Sequence, residues 1–225
     1  GTVLIETCLP LCLQVSSFFA KIQGMIGEQG LQPQQNSQER KERPMHFIEI
    51  VNGFTEERLH AILNLEDKSF PKDWQYEDGE KYYKGMLEDV SNLNLFLKEG
   101  EKIIGYLLAI PHNKVYEELK ENDPLMAQDS ERLYIETMEI DPAIQKTLLG
   151  GKLCFRMLEA LIQEAEKRGI HKFSMHARVL NGLSSAIQKY FRGVITDVRR
   201  IEEWTYYNNE EPVDYMLADM EKSDR

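Results

Sequence analysis

The stretch "IDPAIQKTLLGGKL", residues 140–153, joins an apolar segment ending in Asp141-Pro142 to a long apolar-periodic run. The residues predict a strand, a tight turn and a helix that begins at the adjacent glycines Gly150 and Gly151. The first N–H groups of a helix lack intrahelical partners, and its N-terminus carries a positive partial charge. Because glycine lets a ligand approach closely, the turn is a candidate site for a phosphate. A plain strand-to-helix turn is the alternative, because the spacing matches neither G-x-G-x-x-G nor a P-loop.

The strand before this turn, "RLYIETMEID", changes the parity of its apolar positions. Leu133 and Ile135 are apolar at odd positions, whereas Met138 and Ile140 are apolar at even positions. A regular strand has a side-chain period of two, so it cannot keep all four side chains on one face. One extra residue near Glu136–Thr137 restores the common face, and the sequence therefore predicts a β-bulge there.

The rest of the chain alternates strand and helix patterns around this unit. Thr55 is an N-cap candidate for the first helix, and the long helix after the glycines ends near Gly169. Residues 112–131 are acidic and polar, with a short helical piece, and are interpreted as a flap or insertion. The order of patterns predicts a mixed sheet with helices on its faces. The other predicted elements are a strand at 46–51, a helix in 77–90, a hairpin at 94–110, a strand at 171–179, a helix in 181–191 and strands in 194–208 and 211–220.

Composition and charge limit the classes of function. The 225 residues carry a formal net charge of −11, and no basic stripe of the kind that nucleic-acid binders use is seen in the sequence. The acidic balance indicates solubility and is compatible with a cationic substrate. The three cysteines, Cys8, Cys12 and Cys154, form no disulfide framework or metal motif, which favours a reducing cytoplasm.

The N-terminal 44 residues differ in character from the rest. Residues 2–27 are apolar but interrupted by polar residues, too often for a confident membrane span, and a Gln-rich polar linker follows. The folded pattern starts directly after Met45. We therefore divide the chain into an N-terminal extension and linker, residues 1–44, and one domain, residues 45–225. An amphipathic segment that docks on a partner subunit is the alternative interpretation of residues 1–44.

Residues 46–220 resemble the GNAT N-acetyltransferases, most strongly over 133–195. That family has a strand ending in V-x-P, the motif Q/R-x-x-G-x-G/A, a long helix, a strand, a short helix and two closing strands. Here "IDP" takes the place of V-x-P, and "QKTLLG" takes the place of the glycine motif. Gln145 and Gly150 match the motif, while Leu148 replaces its first glycine.

The resemblance implies a fold and an acetyl donor. The expected fold is of the mixed α/β (α+β) class, with a mostly antiparallel sheet of six to seven strands, a bulged and splayed strand pair, and helices on both faces. Acetyl-CoA would lie in a gap beside the bulged strand. The residues implied for its binding are Met138, Glu139 and Ile140 for the pantetheine, and Gln145, Lys146, Leu148, Leu149, Gly150, Gly151 and Lys152 for the pyrophosphate.

The expected chemistry is direct attack of an amine on a thioester, which calls for a base and for an acid that protonates the leaving thiolate. Glu136 is the candidate base because a carboxylate in an apolar bulge has a raised pKa, and Glu139 is the next candidate. Tyr190 occupies the position of the family's thiol-protonating tyrosine. Each has a structural alternative, an exposed strand residue for Glu136 and a packing residue for Tyr190. His176, on the polar face of its strand, is interpreted as an exposed surface histidine, with a residue that lines the cleft as the alternative.

Two other functions remain open at this point. One is a catalytically weak acyl-CoA-binding regulatory protein of the same fold, which the substitution of Leu148 in the glycine motif supports. The other is an interaction protein that works through residues 1–44. The expected partners are acetyl-CoA and an amine-bearing acceptor, with homodimerisation left open, and no metal, nucleic acid or membrane is expected. The sequence does not identify the acceptor.

Overall fold

The computed structural model describes residues 45–51, 53–70, 72, 75–206 and 209–220. The predicted N-terminal extension, residues 1–44, lies outside the described residues. Seven strands are described: β1 (His46–Val51), β2 (Leu93–Glu99), β3 (Lys102–Pro111), β4 (Arg132–Ile140), β5 (Lys172–Arg178), β6 (Ile195–Tyr206) and β7 (Asn209–Asp219). The described helices are α1 (Glu56–Ser69), α2 (Gly79–Glu88), α3 (His112–Leu119), α4 (Pro142–Gln145), α5 (Leu148–Lys167) and α6 (Leu183–Tyr190).

The strands form one mixed sheet, as predicted, in the order β1-β2-β3-β4-β5-β7-β6. Only β4 and β5 pair in parallel among these strands, and every other neighbouring pair is antiparallel. The parallel pair is joined through α5, which is the crossover connection that parallel strands need. The sheet therefore matches the expected, mostly antiparallel arrangement.

Helices cover both faces of the sheet. The apolar side chains of α5 and α6 pack on one face, with fully buried Leu153 and Leu161 against Leu107 and Leu133. The opposite face carries α1, α2 and α3, where Tyr106 lies at the centre of a second core. We call these two sides the α5 face and the α1 face. None of the described helices combines the length and the hydropathy needed to cross a bilayer.

The predicted bulge in β4 is confirmed. Ile135 pairs with Ala109 and Thr137 pairs with Leu108, so Glu136 is the extra residue in the ladder with β3. Glu136 and Thr137 both line a cavity on the α1 face, although they are consecutive residues. The bulge therefore directs two successive side chains toward the same side of the sheet.

Two expectations from the sequence are wrong in detail. The long helix begins at Leu148, two residues before the glycine pair. The short helix α4, which starts at Pro142, directly precedes it. Residues 112–131 are not an open flap. Val115, Leu119 and Met126 from this segment are almost fully buried in the core of the α1 face.

Candidate active site

The sheet opens into a gap between β4 and β5. The two strands pair only from Arg132 to Tyr134 on β4 and from Lys172 to Ser174 on β5, and beyond these residues they separate. The pairing of β4 with β3 continues to Ile140 on the other side. One edge of β4 after the bulge therefore lacks a strand neighbour, which leaves backbone groups that need partners. An extended chain with amide groups, such as pantetheine, would supply such partners.

The N-terminus of α5 lies next to the end of β4. The side chain of its N-cap residue does not cap it. Thr147 is the N-cap residue, but its hydroxyl donates to the backbone oxygen of Ile144 at 2.6 Å and makes no capping hydrogen bond. The N–H of Gly150 donates to the Thr147 oxygen at 3.1 Å. The first N–H groups of the helix, those of Leu148 and Leu149, have no intrahelical acceptor by their position. Such a terminus attracts an anion.

The other residues implied for acetyl-CoA binding surround these two features. Lys146 and Lys152 are exposed beside the terminus, Gln145 is exposed on α4, and Gly151 follows in the first turn of α5. Met138 and Ile140 pack in the core of the α5 face. These residues and the uncapped helix fit a pyrophosphate and a pantetheine chain.

Glu139 lies apart from them, because its carboxyl group is buried on the α1 face near Glu66. Burial raises the pKa of Glu139 to about 8, and the charge of Glu66 adds to the rise. Only the backbone of Glu139 can therefore face the gap between β4 and β5.

Gly150 allows the close packing of α5 against α4. A Cβ atom at this position would lie 2.6 Å from the Ile144 oxygen and 2.7 Å from the Gln145 Cα atom, both of them backbone atoms. Gly150→Ala should therefore lower the free energy of unfolding by about 1–3 kcal/mol, the usual cost of overpacking. Urea denaturation measures this change. Gly193→Ala is the matched control, because a Cβ there meets nothing within 4 Å. Equal stability of the two variants would contradict this packing role.

A cavity of about 160 Å³ opens on the α1 face beside the bulge. It combines aromatic rings, carboxylates and one guanidinium group, and Arg178 and Glu211 in its wall form an ion pair. The residues that line it are Glu66, Phe70, Tyr76, Tyr83, Leu119, Tyr134, Glu136, Thr137, His176, Arg178, Trp204, Glu211 and Val213. The cavity reaches the bulge from the side opposite to α5.

Glu136 extends from the bulge into this cavity. Its Oε1 accepts hydrogen bonds from the hydroxyl groups of Tyr76, at 2.6 Å, and Tyr82, at 2.8 Å. Removal from water raises the pKa of Glu136, and the two tyrosine hydrogen bonds lower it in part. A carboxyl group with a raised pKa is a better proton acceptor at neutral pH than an exposed one, once it is ionised. This geometry suits the base that the sequence predicts.

Tyr190 lies on the α5 face, away from the residues that line the cavity. Its ring stacks on Phe155 of α5, with the centroids 3.9 Å apart, and its hydroxyl donates to Glu159 at 2.7 Å. The hydrogen bond to Glu159, followed by burial, raises the pKa of Tyr190 to about 12. The hydroxyl is therefore protonated at neutral pH, and its proton is donated to Glu159.

Sequence reasoning missed part of the cavity. His176 is not an exposed surface histidine, because its side chain is only 4% exposed and lines the cavity wall. Tyr76 and Tyr82, which hold Glu136, were not singled out, and they are 60 and 54 residues away from it in the chain. A polar side chain on an alternating strand was the only signal for His176, and that signal does not distinguish a cavity wall from the surface.

Three solved N-acetyltransferase structures share this fold at low sequence identity. The ribosomal-protein-S18-alanine N-acetyltransferase from Escherichia coli is 18% identical, with a TM-score of 0.54 over 78% of this chain and 94% of that chain. NAA60 from Arabidopsis thaliana, solved in complex with acetyl-CoA, is 16% identical, with a TM-score of 0.54 over 77% of this chain and 97% of that chain. A variant of spermidine N-acetyltransferase SpeG from Vibrio cholerae is 16% identical, with a TM-score of 0.52 over 79% and 95%.

Sequence comparison gives the family. No curated protein sequence matches the chain significantly. The model of the Acetyltransferase (GNAT) family matches residues 59–187, which is more than half of the chain. The protein therefore belongs to the GNAT acetyltransferase family, and it is an acyltransferase that uses acetyl-CoA as the donor of the acetyl group.

Proposed function

We propose that this N-acetyltransferase acetylates a small cationic amine that binds in the cavity beside Glu136. The observation that carries the proposal is the position of this carboxylate on the bulge of β4, where the sheet begins to part from β5. An amine in the cavity and a thioester in the gap would then meet at the bulge. Family membership favours acetyl transfer over the regulatory role that was left open.

The chemistry of the cavity wall supports a cationic acceptor. Glu66 and Glu136 contribute carboxyl groups, and the guanidinium of Arg178 is already paired with Glu211. Aromatic faces, which attract cations, supply much of the remaining wall. The volume of about 160 Å³ suits a small molecule or the end of a chain. One protein of the same fold is described as a spermidine N-acetyltransferase, and spermidine is such a cationic amine.

The proposed mechanism uses residues from both faces of the sheet. The amine attacks the thioester carbonyl directly, and Glu136 accepts a proton from its nitrogen as the bond to carbon forms. Bond formation at nitrogen is followed by cleavage of the bond between carbon and sulfur. Tyr190 donates its proton to the departing thiolate and recovers a proton from water. The α5 N-terminus, with Lys146 and Lys152, holds the pyrophosphate throughout the reaction.

Acetyl-CoA should stabilise the protein against heat. Binding to the native state alone adds about 2.7 kcal/mol when the free ligand is at 100 times its dissociation constant. Differential scanning fluorimetry with acetyl-CoA measures the shift in Tm. Lys152→Ala should reduce the shift, whereas Lys81→Ala is the control because Lys81 is exposed on α2, on the other face. Equal shifts for both variants would count against the pyrophosphate position, and no shift in the wild type would count against the donor site as a whole.

The acceptor is tested by a panel of amines with purified enzyme and acetyl-CoA, with release of the thiol as the readout. Diamines and polyamines should be acetylated with higher kcat/KM than neutral or acidic amines of the same length. The same panel with peptides tests the alternative of a protein N-terminus. A preference for acidic amines would overturn the cationic assignment, while leaving acetyl transfer itself intact.

We propose the domain limits and the cellular location on the support of separate observations. We assign residues 45–225 to the acetyltransferase domain, which is supported by β1 beginning at His46 and by the family match over 59–187. A cytoplasmic location is supported by Cys154, whose thiol is free and partly buried between α5 and β4. Residues 1–44 are assigned to an extension.

A further inference from the structure

A chain of hydrogen bonds leads from the cavity through His176 to a buried carboxylate. The hydroxyl of Tyr134, which lines the cavity, lies 2.9 Å from His176 Nδ1. The other ring nitrogen, Nε2, lies 3.2 Å from Asp123 Oδ2. Trp204 stacks on the imidazole ring of His176 with the ring centroids 4.2 Å apart, which restricts the orientation of the imidazole. The three polar side chains come from β4, β5 and the segment between α3 and β4, so the fold brings them together over long distances in sequence.

These contacts select one tautomer of His176. A carboxylate only accepts hydrogen bonds, so Nε2 must carry the proton that is donated to Asp123. Neutral imidazole then has a bare Nδ1, which accepts the hydroxyl proton of Tyr134. The phenol oxygen, whose own proton is donated to His176, is then a hydrogen-bond acceptor in the cavity wall. Asp123 stays ionised, because hydrogen bonds from His176 and Arg199 outweigh the effect of burial and lower its pKa to about 2.

The reaction itself calls for more than one proton transfer from the acceptor. An alkylammonium ion loses two protons when it becomes an amide, since R–NH₃⁺ becomes R–NH–CO–CH₃. One proton is balanced by the thiol that leaves, and the other must pass to solvent. In the cavity, the carboxylate of Glu136 can accept one of these protons. A second acceptor would allow the ammonium to be deprotonated before attack and the nitrogen to be deprotonated again after it.

We propose that Tyr134, His176 and Asp123 form a second proton acceptor, which deprotonates the acceptor ammonium before it attacks. The ammonium proton passes to the Tyr134 oxygen while the Tyr134 proton passes to His176 Nδ1, and the resulting imidazolium is stabilised by Asp123. Tyr134 touches the substrate, whereas His176 and Asp123 act through it. The inference rests on the proposed function, because it assumes that an amine binds in the cavity.

The surroundings keep His176 neutral at physiological pH. Burial lowers the pKa of His176, the hydrogen bond to Asp123 and its charge raise it in part, and the charge of Arg199 lowers it. The titratable and charged groups packed around it come from several elements: Asp123 before β4, Arg199 on β6, Tyr134 on β4, Tyr215 on β7 and His112 on α3, with Glu66, Tyr76, Tyr83, Glu136, Arg178 and Glu211 in the same cavity wall.

The tautomer can be tested on the wild-type enzyme without any acceptor. Long-range ¹H–¹⁵N correlation spectra at pH 7 should show His176 neutral, with Nε2 protonated and Nδ1 bare. His176→Gln identifies its signals. A protonated Nδ1, or an imidazolium at pH 7, would overturn the relay. This result is independent of the proposed function, because it requires no turnover.

The pH dependence of turnover tests the relay in catalysis. His176→Gln should lower kcat about 10²-fold at pH 7, within the usual range for a positioned base. The deficit should shrink as the pH approaches the pKa of the amine, because free amine then forms without the enzyme. Tyr134→Phe should show the same pattern. His112→Gln is the matched control: His112 is also buried and bonded through Nε2, to Tyr215, but does not line the cavity.

The outcomes separate the relay from the proposed function. A loss of kcat in His176→Gln that is the same at every pH would indicate a structural role and overturn the relay. A wild-type kcat in His176→Gln or in Tyr134→Phe would also overturn the relay. If the wild type acetylates no amine in the panel, the proposed function fails, and the tautomer spectrum still decides whether the hydrogen-bond chain exists as described.

Discussion

Glu136→Gln should lower the kcat of acetyl transfer by about 10²–10⁴-fold, the range typical of a positioned base. The amide keeps the size of the side chain and can still accept hydrogen bonds from Tyr76 and Tyr82, so the fold should be preserved. It cannot accept a proton from the amine. Steady-state kinetics with the best amine of the panel measures the change, and the Tm shift caused by acetyl-CoA should remain that of the wild type.

The pH profile gives this prediction a second readout. Burial raises the pKa of Glu136, and only the ionised form acts as a base. Wild-type activity should therefore rise as the pH increases through this raised pKa, and the rising limb should be altered in the variant. Glu166→Gln is the matched control, because Glu166 is exposed near the end of α5. Wild-type kcat in Glu136→Gln would exclude this carboxylate as the base.

Tyr190→Phe should also lower kcat by about 10²–10⁴-fold, if its hydroxyl protonates the thiolate. The substitution keeps the ring that stacks on Phe155, so packing should change little. The dissociation constant of acetyl-CoA should stay constant, because the thioester in the ground state needs no proton. The loss should therefore appear in kcat and not in binding, measured by kinetics and by calorimetric titration.

A matched tyrosine on another helix controls for the loss of a hydroxyl. Tyr116 on α3 is partly exposed and does not line the cavity, so Tyr116→Phe should leave kcat unchanged. The hydrogen bond from Tyr190 to Glu159 offers a further check. Glu159→Gln removes the carboxylate whose hydrogen bond raises the pKa of Tyr190, and it leaves the hydroxyl of Tyr190 in place. An active Tyr190→Phe variant would assign the proton donor to water or to another residue.

The bulge illustrates what could be predicted from the sequence. The change of parity between Ile135 and Met138 is a local property of one strand, because the two sets of apolar residues must reach the same core. The structure confirms the bulge and places the extra residue at Glu136. The start of α5 was less predictable. Helix N-termini depend on the path of the preceding turn, and α4 brings the chain into helical geometry at Leu148, two residues before Gly150.

The cavity wall could not be predicted in the same way. Alternation along β5 places His176 opposite the apolar residues, which predicts exposure only if nothing covers that face of the sheet. Asp123 and Trp204 cover it here, and they lie 53 and 28 residues away along the chain. Likewise, the tyrosines that bind Glu136 belong to α2 and to the segment before it. Contacts of this kind leave no periodic pattern in the sequence.

Because the bulge lies between the two faces of the sheet, we expect the two substrates to bind in either order. The proposed donor site opens toward α5, whereas the cavity opens on the α1 face, so each ligand has its own entrance. Neither needs to leave before the other binds, and the acetyl group never has to rest on the protein. Initial rates should therefore follow a ternary-complex scheme, in which either substrate can find its site while the other is already bound.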